Sequence, residues 1–180
     1  MDWPDEPARD LWVFGYGSLI WSPGFPYVAR AKAVSVGWSR RLCIYSHVYR
    51  GAPERPGLVL GLEPGGQCEG VAFRVEAAQR AATIRYLRER ELVTGVYDEE
   101  WIDARLEWDV DVRALTFVAL NSHPQFAPPM SPDALLATVR QGRGSAGDDV
   151  DYVLNTRDHL KELGIFDPEL EWLAEELRRQ

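Results

Sequence analysis

The stretch LWVFGYGSL, residues 11–19, decides the fold of this chain. Its first four residues are bulky and apolar, which is typical of a short buried strand, and they run directly into Gly15-Tyr16-Gly17-Ser18. The glycines favour a tight turn at this point. Pro23 and Pro26 prevent a helix from following the turn directly, because proline breaks the helical hydrogen-bond pattern. We therefore expect a buried strand that ends in a glycine turn.

The rest of the chain is β-rich first and helix-rich afterwards. Alternating or β-branched segments predict strands near residues 33–38, 41–46, 58–63, 68–75 and 112–120. Helical composition, N-cap residues and terminal glycines predict helices near residues 77–93, 131–141, 149–163 and 168–179. This order predicts an α+β fold with a barrel-like sheet and helices packed on it. We expect residues 1–10 to form a flexible arm and residues 11–180 to form a single domain.

Composition excludes several classes of protein. The 180 residues include 20 Lys and Arg against 28 Asp and Glu, a net charge of −8, which disfavours binding to nucleic acid or an anionic membrane. Cys43 and Cys68 are too few for a disulfide framework. The opening MDWPDEPARD does not resemble a signal peptide, and no apolar run approaches the ~20 residues of a membrane helix. These features predict a soluble, cytoplasmic protein.

Common catalytic motifs are missing from the sequence. The glycine turn has two of the three glycines of a dinucleotide-binding loop, and no helix can follow it directly. The three histidines lack the spacing of metal ligands, and Ser145 does not lie in a nucleophile elbow.

Two features could serve a binding or catalytic site. The loop Phe14-Gly15-Tyr16-Gly17-Ser18-Leu19 could present consecutive backbone N–H groups to an oxygen of a ligand, although it could equally be an ordinary turn between strands. On the helix predicted near residues 77–93, Glu91 lies within roughly 20° of Ile84 and 40° of Leu87 around the helix axis. It therefore falls on the apolar face that should point inward. Burial there would raise its pKa towards that of a general base, unless it is a paired structural carboxylate. Glu89 faces the opposite side.

Ordered blocks over residues 11–164 resemble one known family. The segments LWVFGYGSLIW (11–21), YRGAPERPG (49–57) and YLRERE (86–91) are similar to signatures of the ChaC-like, glutathione-specific γ-glutamylcyclotransferases. The chain departs from the usual family pattern at Ala52, where threonine is often found, and at Asp149, where asparagine is common.

The resemblance implies the γ-glutamylcyclotransferase fold, a small mixed β-barrel with flanking helices. It also implies the cleavage of glutathione to 5-oxoproline and cysteinylglycine, with no metal and no organic cofactor. The composition, rather than the resemblance, predicts that neither nucleic acid nor a membrane is a partner. Glu91 would be the catalytic base. The expected substrate-binding residues are Phe14, Gly15, Tyr16, Gly17, Ser18, Leu19, Arg40, Arg41 and Tyr152. Tyr152 could instead pack in the core. The oligomeric state is left open.

Local charge agrees with an anionic substrate. Residues 30–57 hold six basic side chains and one acidic side chain, although the whole chain is acidic. Arg40 and Arg41 are adjacent in a predicted strand and should point to opposite faces, so at most one of them would enter a pocket. Both could also belong to a solvated strand end. Two alternatives stay open: another γ-glutamyl peptide or amine as substrate, and a non-catalytic γ-glutamyl-binding or regulatory protein.

Overall fold

A computed structural model describes residues 8–179 and divides them into two compact units. The first unit holds the residues up to Arg40 together with Leu62–Leu120, and the second holds Arg41–Gly61 and the residues from Asn121 onward. Residues 1–7 of the expected arm lie outside the described part of the chain. The expectation of a single domain over residues 11–180 stays a prediction.

A closed five-stranded barrel with the neighbour order β1-β3-β2-β4-β5 forms the sheet. Its strands are β1 (Leu11–Gly15), β2 (Ala29–Ser46), β3 (Gly57–Val75), β4 (Tyr97–Leu106) and β5 (Asp111–Ala119). Strand β1 pairs antiparallel with β3 and parallel with β5, so the barrel is mixed. The predicted fold class, α+β with a small mixed β-barrel and helices, is confirmed.

Two differences from the predicted strands have physical reasons. The four short strands expected between residues 33 and 75 are two long ones, because β2 continues through residues 39–40 and β3 continues through the exposed residues 64–67. Strand β4 was not predicted, since five of its ten residues are charged. Its apolar alternation is clear only from Ile102 to Leu106, where buried and exposed side chains alternate.

The helices follow the predicted start and stop signals closely. In the first unit, a 3-10 turn (Ala77–Gln79) precedes α1 (Arg80–Glu91). The second unit contains α2 (Pro132–Gln141), the short hairpin β6 (Arg143–Gly144) and β7 (Gly147–Asp148), α3 (Asp149–Glu162) and α4 (Pro168–Arg178). Ser131 and Asp167 cap α2 and α4 through their side-chain oxygens, as their sequences predict. The glycine-rich break after α2 forms the β6–β7 hairpin.

Candidate active site

The glycine loop begins where β1 leaves the barrel, and buried side chains hold it in place. Phe14 is fully buried, and its carbonyl accepts a hydrogen bond from Thr116 Oγ1 at 2.9 Å. The next aromatic residue, Tyr16, donates a buried hydrogen bond from its hydroxyl to the carbonyl of Phe117, at 2.8 Å. These two contacts fix both ends of Gly15 on β5, so the loop is anchored before it turns.

The loop then closes into a 3-10 turn over Ser18–Ile20. The N–H of Ile20 donates to the carbonyl of Gly17, and the N–H of Ser22 donates to the carbonyl of Ser18, both at 2.9 Å. The first N–H groups of a helical turn have no partner inside it. The N–H groups of Ser18 and Leu19 hold that position, so the turn leaves them to other acceptors.

Arg40, a predicted binding residue, contacts this loop directly. Its Nη1 atom donates to the carbonyl of Tyr16 at 3.1 Å and to the carbonyl of Glu69 at 2.8 Å. It also lies 3.5 Å from Cys68 Sγ. The guanidinium therefore joins the loop to β3, a supporting contact that the sequence did not predict.

Glu91 is the last residue of α1 and lies on the face that the sequence predicts. Leu87, one turn earlier, is fully buried, while Glu89 is exposed. The Glu91 side chain is 21% exposed. Burial raises the pKa of the Glu91 carboxyl, and the positive charge of Arg90 partly opposes this rise. A half-buried carboxyl with a raised pKa suits a general base.

Arg90 is the site residue that the sequence did not single out. Its Nε lies 3.0 Å from Glu91 Oε1, and its Nη2 donates to Ser18 Oγ at 3.1 Å. Its Nη1 donates to the carbonyls of Ser22 at 2.6 Å and Pro23 at 3.2 Å. One guanidinium thus links the glycine loop to the carboxyl of Glu91. In the sequence, only its position next to the candidate base Glu91 could have pointed to Arg90.

Close packing holds the segment after the loop against α1. Gly24 has a φ of +74°, a conformation that favours glycine, and a Cβ atom there would lie 2.0 Å from the Tyr86 hydroxyl. Phe25 packs edge-on against the Tyr86 ring, with 6.5 Å between the ring centroids. The Tyr86 hydroxyl also accepts a hydrogen bond from Arg90 Nη1 at 3.2 Å. These contacts hold the segment after the loop close to α1, where the carbonyls of Ser22 and Pro23 accept hydrogen bonds from Arg90.

Two further predicted binding residues, Arg41 and Tyr152, belong to the second unit. Arg41 Nη2 donates to the carbonyl of Ala127 at 2.9 Å. The Tyr152 hydroxyl accepts a hydrogen bond from the N–H of Leu60 at 3.1 Å, and the Arg50 guanidinium lies 5.4 Å above its ring. Their binding roles stay predictions, as do those of the loop residues and Arg40.

Asp149 is fully buried at the start of α3, also in the second unit. Its Oδ2 accepts a hydrogen bond from the N–H of Leu58 at 2.7 Å, while Oδ1 has no hydrogen-bond partner among the described residues. Burial raises the pKa of Asp149 to about 8, against the opposing effects of the Leu58 N–H and of Arg50. The carboxyl is therefore mostly protonated at neutral pH.

Solved structures share this fold. A yeast γ-glutamyl cyclotransferase specific to glutathione superimposes with a TM-score of 0.85, over 95% of this chain and 96% of its own, at 20% sequence identity. A second solved γ-glutamyl cyclotransferase gives a TM-score of 0.56, over 92% of this chain and 87% of its own, at 14% identity. The fold is thus that of the γ-glutamyl cyclotransferases.

Sequence comparison defines the family. The model of the ChaC-like protein family matches residues 11–180. The glutathione-specific γ-glutamylcyclotransferase of Escherichia coli is 30% identical over 164 residues, which are 91% of this chain and 70% of that protein. Glutathione-specific γ-glutamylcyclotransferase 1 of Homo sapiens is 32% identical over 167 residues, 89% of this chain and 74% of its own. This chain belongs to the ChaC-like family.

Proposed function

We propose that this protein cleaves the γ-glutamyl bond of glutathione and releases 5-oxoproline and cysteinylglycine. Its family and the names of its relatives support the activity and the substrate. The observation that carries the proposal is the half-buried carboxyl of Glu91, joined through Arg90 to the glycine loop at Ser18. A carboxyl with a raised pKa suits a group that takes up and releases a proton during a reaction, which favours catalysis over binding alone.

The reaction is an internal aminolysis. The α-amine of the γ-glutamyl group attacks its own γ-carbonyl carbon, the C–N bond of a five-membered lactam forms, and the bond to the cysteine nitrogen breaks. Nucleophile and electrophile are already in one molecule, so no covalent enzyme intermediate is needed. Well-oriented intramolecular reactions reach effective molarities of about 10⁵–10⁸ M. Much of the catalysis therefore comes from holding the substrate in its attack geometry.

Glu91 would supply the proton transfer. The attacking amine is mostly protonated near neutral pH and must lose a proton before it can react. In the proposed mechanism, the Glu91 carboxylate accepts this proton and then gives one to the departing cysteine nitrogen. A positioned general base typically contributes ~10²–10⁴-fold to the rate. The raised pKa of Glu91 brings its basicity closer to the pH at which the enzyme would work.

The glycine loop would hold the γ-glutamyl end of the substrate. N–H groups at the start of the Ser18–Ile20 turn can donate to the γ-carbonyl oxygen, which gains negative charge as the amine attacks. A guanidinium, from Arg40 or from Arg41, would pair with a substrate carboxylate. The Tyr152 hydroxyl would add a hydrogen bond to the substrate. In this mechanism Arg40 also contributes by supporting the loop backbone.

The direct test is to incubate the purified protein with glutathione and follow 5-oxoproline by mass spectrometry. Formation of 5-oxoproline and cysteinylglycine in equal amounts supports the proposal. γ-Glutamyl-alanine added to the same mixture competes for the site: if it is consumed faster than glutathione, the substrate assignment is wrong. Thermal stabilisation by glutathione without any 5-oxoproline would instead indicate a non-catalytic binding protein.

The expected cellular setting also stays a proposal. No helix within residues 8–179 is long and apolar enough to cross a membrane. Among the same residues, no group of three His, Cys, Asp or Glu side chains is arranged to hold a metal ion. We propose a cytoplasmic enzyme whose partner is its small-molecule substrate; its net charge of −8 disfavours nucleic acid and an anionic membrane as partners.

A further inference from the structure

The guanidinium of Arg90 connects the end of α1 to the glycine loop through polar contacts of 2.6–3.2 Å. We propose that Arg90 is a positioning residue of the reaction, which holds the Glu91 carboxylate and the Ser18–Pro23 backbone in one fixed relative position. This inference rests on the proposed function, because it assigns Arg90 to the reaction that Glu91 would catalyse.

The contact between Arg90 and Glu91 is not one that a helix makes by itself. Consecutive side chains on a helix point about 100° apart and do not face each other. Here the Arg90 side chain is held across the helix end because its terminal nitrogens are bound to the carbonyls of Ser22 and Pro23. Its Nε is thereby brought to 3.0 Å from Glu91 Oε1. The loop, rather than the helix, sets the position of this ion pair.

The same guanidinium also reaches the part of the loop proposed to bind substrate. Arg90 Nη2 donates to Ser18 Oγ, and Ser18 begins the 3-10 turn whose N–H groups would face the γ-carbonyl oxygen. The Arg90 guanidinium therefore contacts both the proposed base, Glu91, and the turn that would supply the oxyanion donors. Because the guanidinium is planar and offers five N–H donors in fixed directions, lysine cannot make the same set of bonds.

The charge of Arg90 has a second effect at Glu91. Burial raises the pKa of the carboxyl, and the cation 3.0 Å away lowers it. Loss of the cation would leave burial unopposed, so the carboxyl would hold its proton to higher pH. Geometry and charge can therefore be separated by two substitutions: Arg90→Lys keeps the charge and loses the planar fork, and Arg90→Gln loses both.

The experiment measures kcat, KM and the pH profile of kcat/KM for wild type, Arg90→Lys and Arg90→Gln. Misplacement of a catalytic group by about 1 Å costs ~10²-fold in rate, so we expect kcat to fall by roughly that factor in both variants. The acid limb of the profile should move to higher pH in Arg90→Gln and stay near the wild-type position in Arg90→Lys. A fall in stability alone would produce neither pattern.

Arg88→Gln is the matched control. Arg88 lies on the same helix and makes a two-point ion pair with Glu99, at 2.6 and 2.9 Å, away from the loop. Its loss should leave kcat and the pH profile unchanged. The inference would be overturned if Arg90→Gln kept the kcat and the acid limb of the wild type. It would also be overturned if Arg88→Gln lost as much kcat as Arg90→Gln.

A readout that needs no activity separates this inference from the proposed function. Carbon-13 NMR of the glutamate carboxyls follows the titration of Glu91 directly, with Glu91→Gln identifying its signal. An upward move of the Glu91 titration in Arg90→Gln, in a protein that makes no 5-oxoproline, supports the contact but refutes the proposed reaction. If the wild type is active and Glu91 titrates at the same pH in Arg90→Gln as in the wild type, the inference is refuted while the proposed function stands.

Discussion

Replacing Asp149 with asparagine should stabilise the protein increasingly as the pH rises. Asp149 is 0% exposed, and its carboxyl is enclosed by glycines: a Cβ on Gly57 would lie 2.9 Å from its Cγ, and one on Gly142 would lie 2.7 Å from its Cβ. Asparagine has the same shape and keeps an oxygen for the Leu58 N–H. It carries no charge at any pH of interest, so the substitution removes the ionisation. The amide N–H groups that it places at the position of Oδ1 change the stability by the same amount at every pH.

The size of the effect follows from the pKa of Asp149, which is about 8 in the folded protein against an ordinary value of 3.8. Between these values the folded state holds a proton that the unfolded state has lost, so the free energy of unfolding falls as the pH rises. Each pKa unit corresponds to about 1.4 kcal/mol. Between pH 5 and pH 8, ionisation of Asp149 should therefore lower the free energy of unfolding of the wild type by about 4 kcal/mol. Asp149→Asn should not show this decrease.

The assay is urea unfolding of wild type and Asp149→Asn at several pH values between 5 and 8. Other titrating groups are the same in both proteins, so the difference between the two unfolding free energies isolates Asp149. A change of 4 kcal/mol corresponds to roughly 10 °C in Tm for a chain of this length. Asp151→Asn is the control, because Asp151 lies in the same first turn of α3 and is exposed. Parallel pH dependence in wild type and Asp149→Asn would refute the reasoning.

Three further outcomes follow from the site. Tyr16→Phe leaves the buried carbonyl of Phe117 without its donor and should lower the free energy of unfolding by about 1–3 kcal/mol; unchanged urea midpoints would contradict this. Arg40→Met removes the bonds to the carbonyls of Tyr16 and Glu69, so KM for glutathione should rise; an unaltered KM would show that the loop does not need this support. Wild-type kcat/KM should fall as the pH drops through the raised pKa of Glu91, because a protonated carboxyl cannot accept a proton; a profile flat to pH 4 would exclude Glu91 as the base.

Local signals were sufficient to predict much of the fold. The N-caps at Ser131 and Asp167 lie where the sequence indicates, because a short polar side chain followed by proline determines a helix start with little help from distant residues. The charged strand β4 was missed, because its position depends on pairing with β2 and β5 in a closed barrel. Pairing between distant strands leaves a weak trace in local composition.

The candidate site was predictable in its residues but not in its connections. Helical periodicity placed Glu91 on the inward face and Glu89 in solvent, as observed. The same periodicity gives no role to Arg90, since the contacts that tie it to the loop are with backbone carbonyls some 70 positions earlier in the chain. The orphaned oxygen of Asp149 likewise depends on how separate segments enclose it. Tertiary contacts of this kind have no periodic pattern that a sequence could display.

The central claim is that Glu91 is the base of a glutathione-cleaving reaction, and a matched pair of glutamines tests it most directly. Glu91→Gln and Glu89→Gln lie on the same helix, two residues apart, and make the same chemical change on the half-buried and the exposed side. With equal amounts of folded protein and saturating glutathione, mass spectrometry of 5-oxoproline should show wild-type turnover for Glu89→Gln and a loss of at least ~10²-fold for Glu91→Gln. Wild-type turnover by Glu91→Gln would contradict the claim.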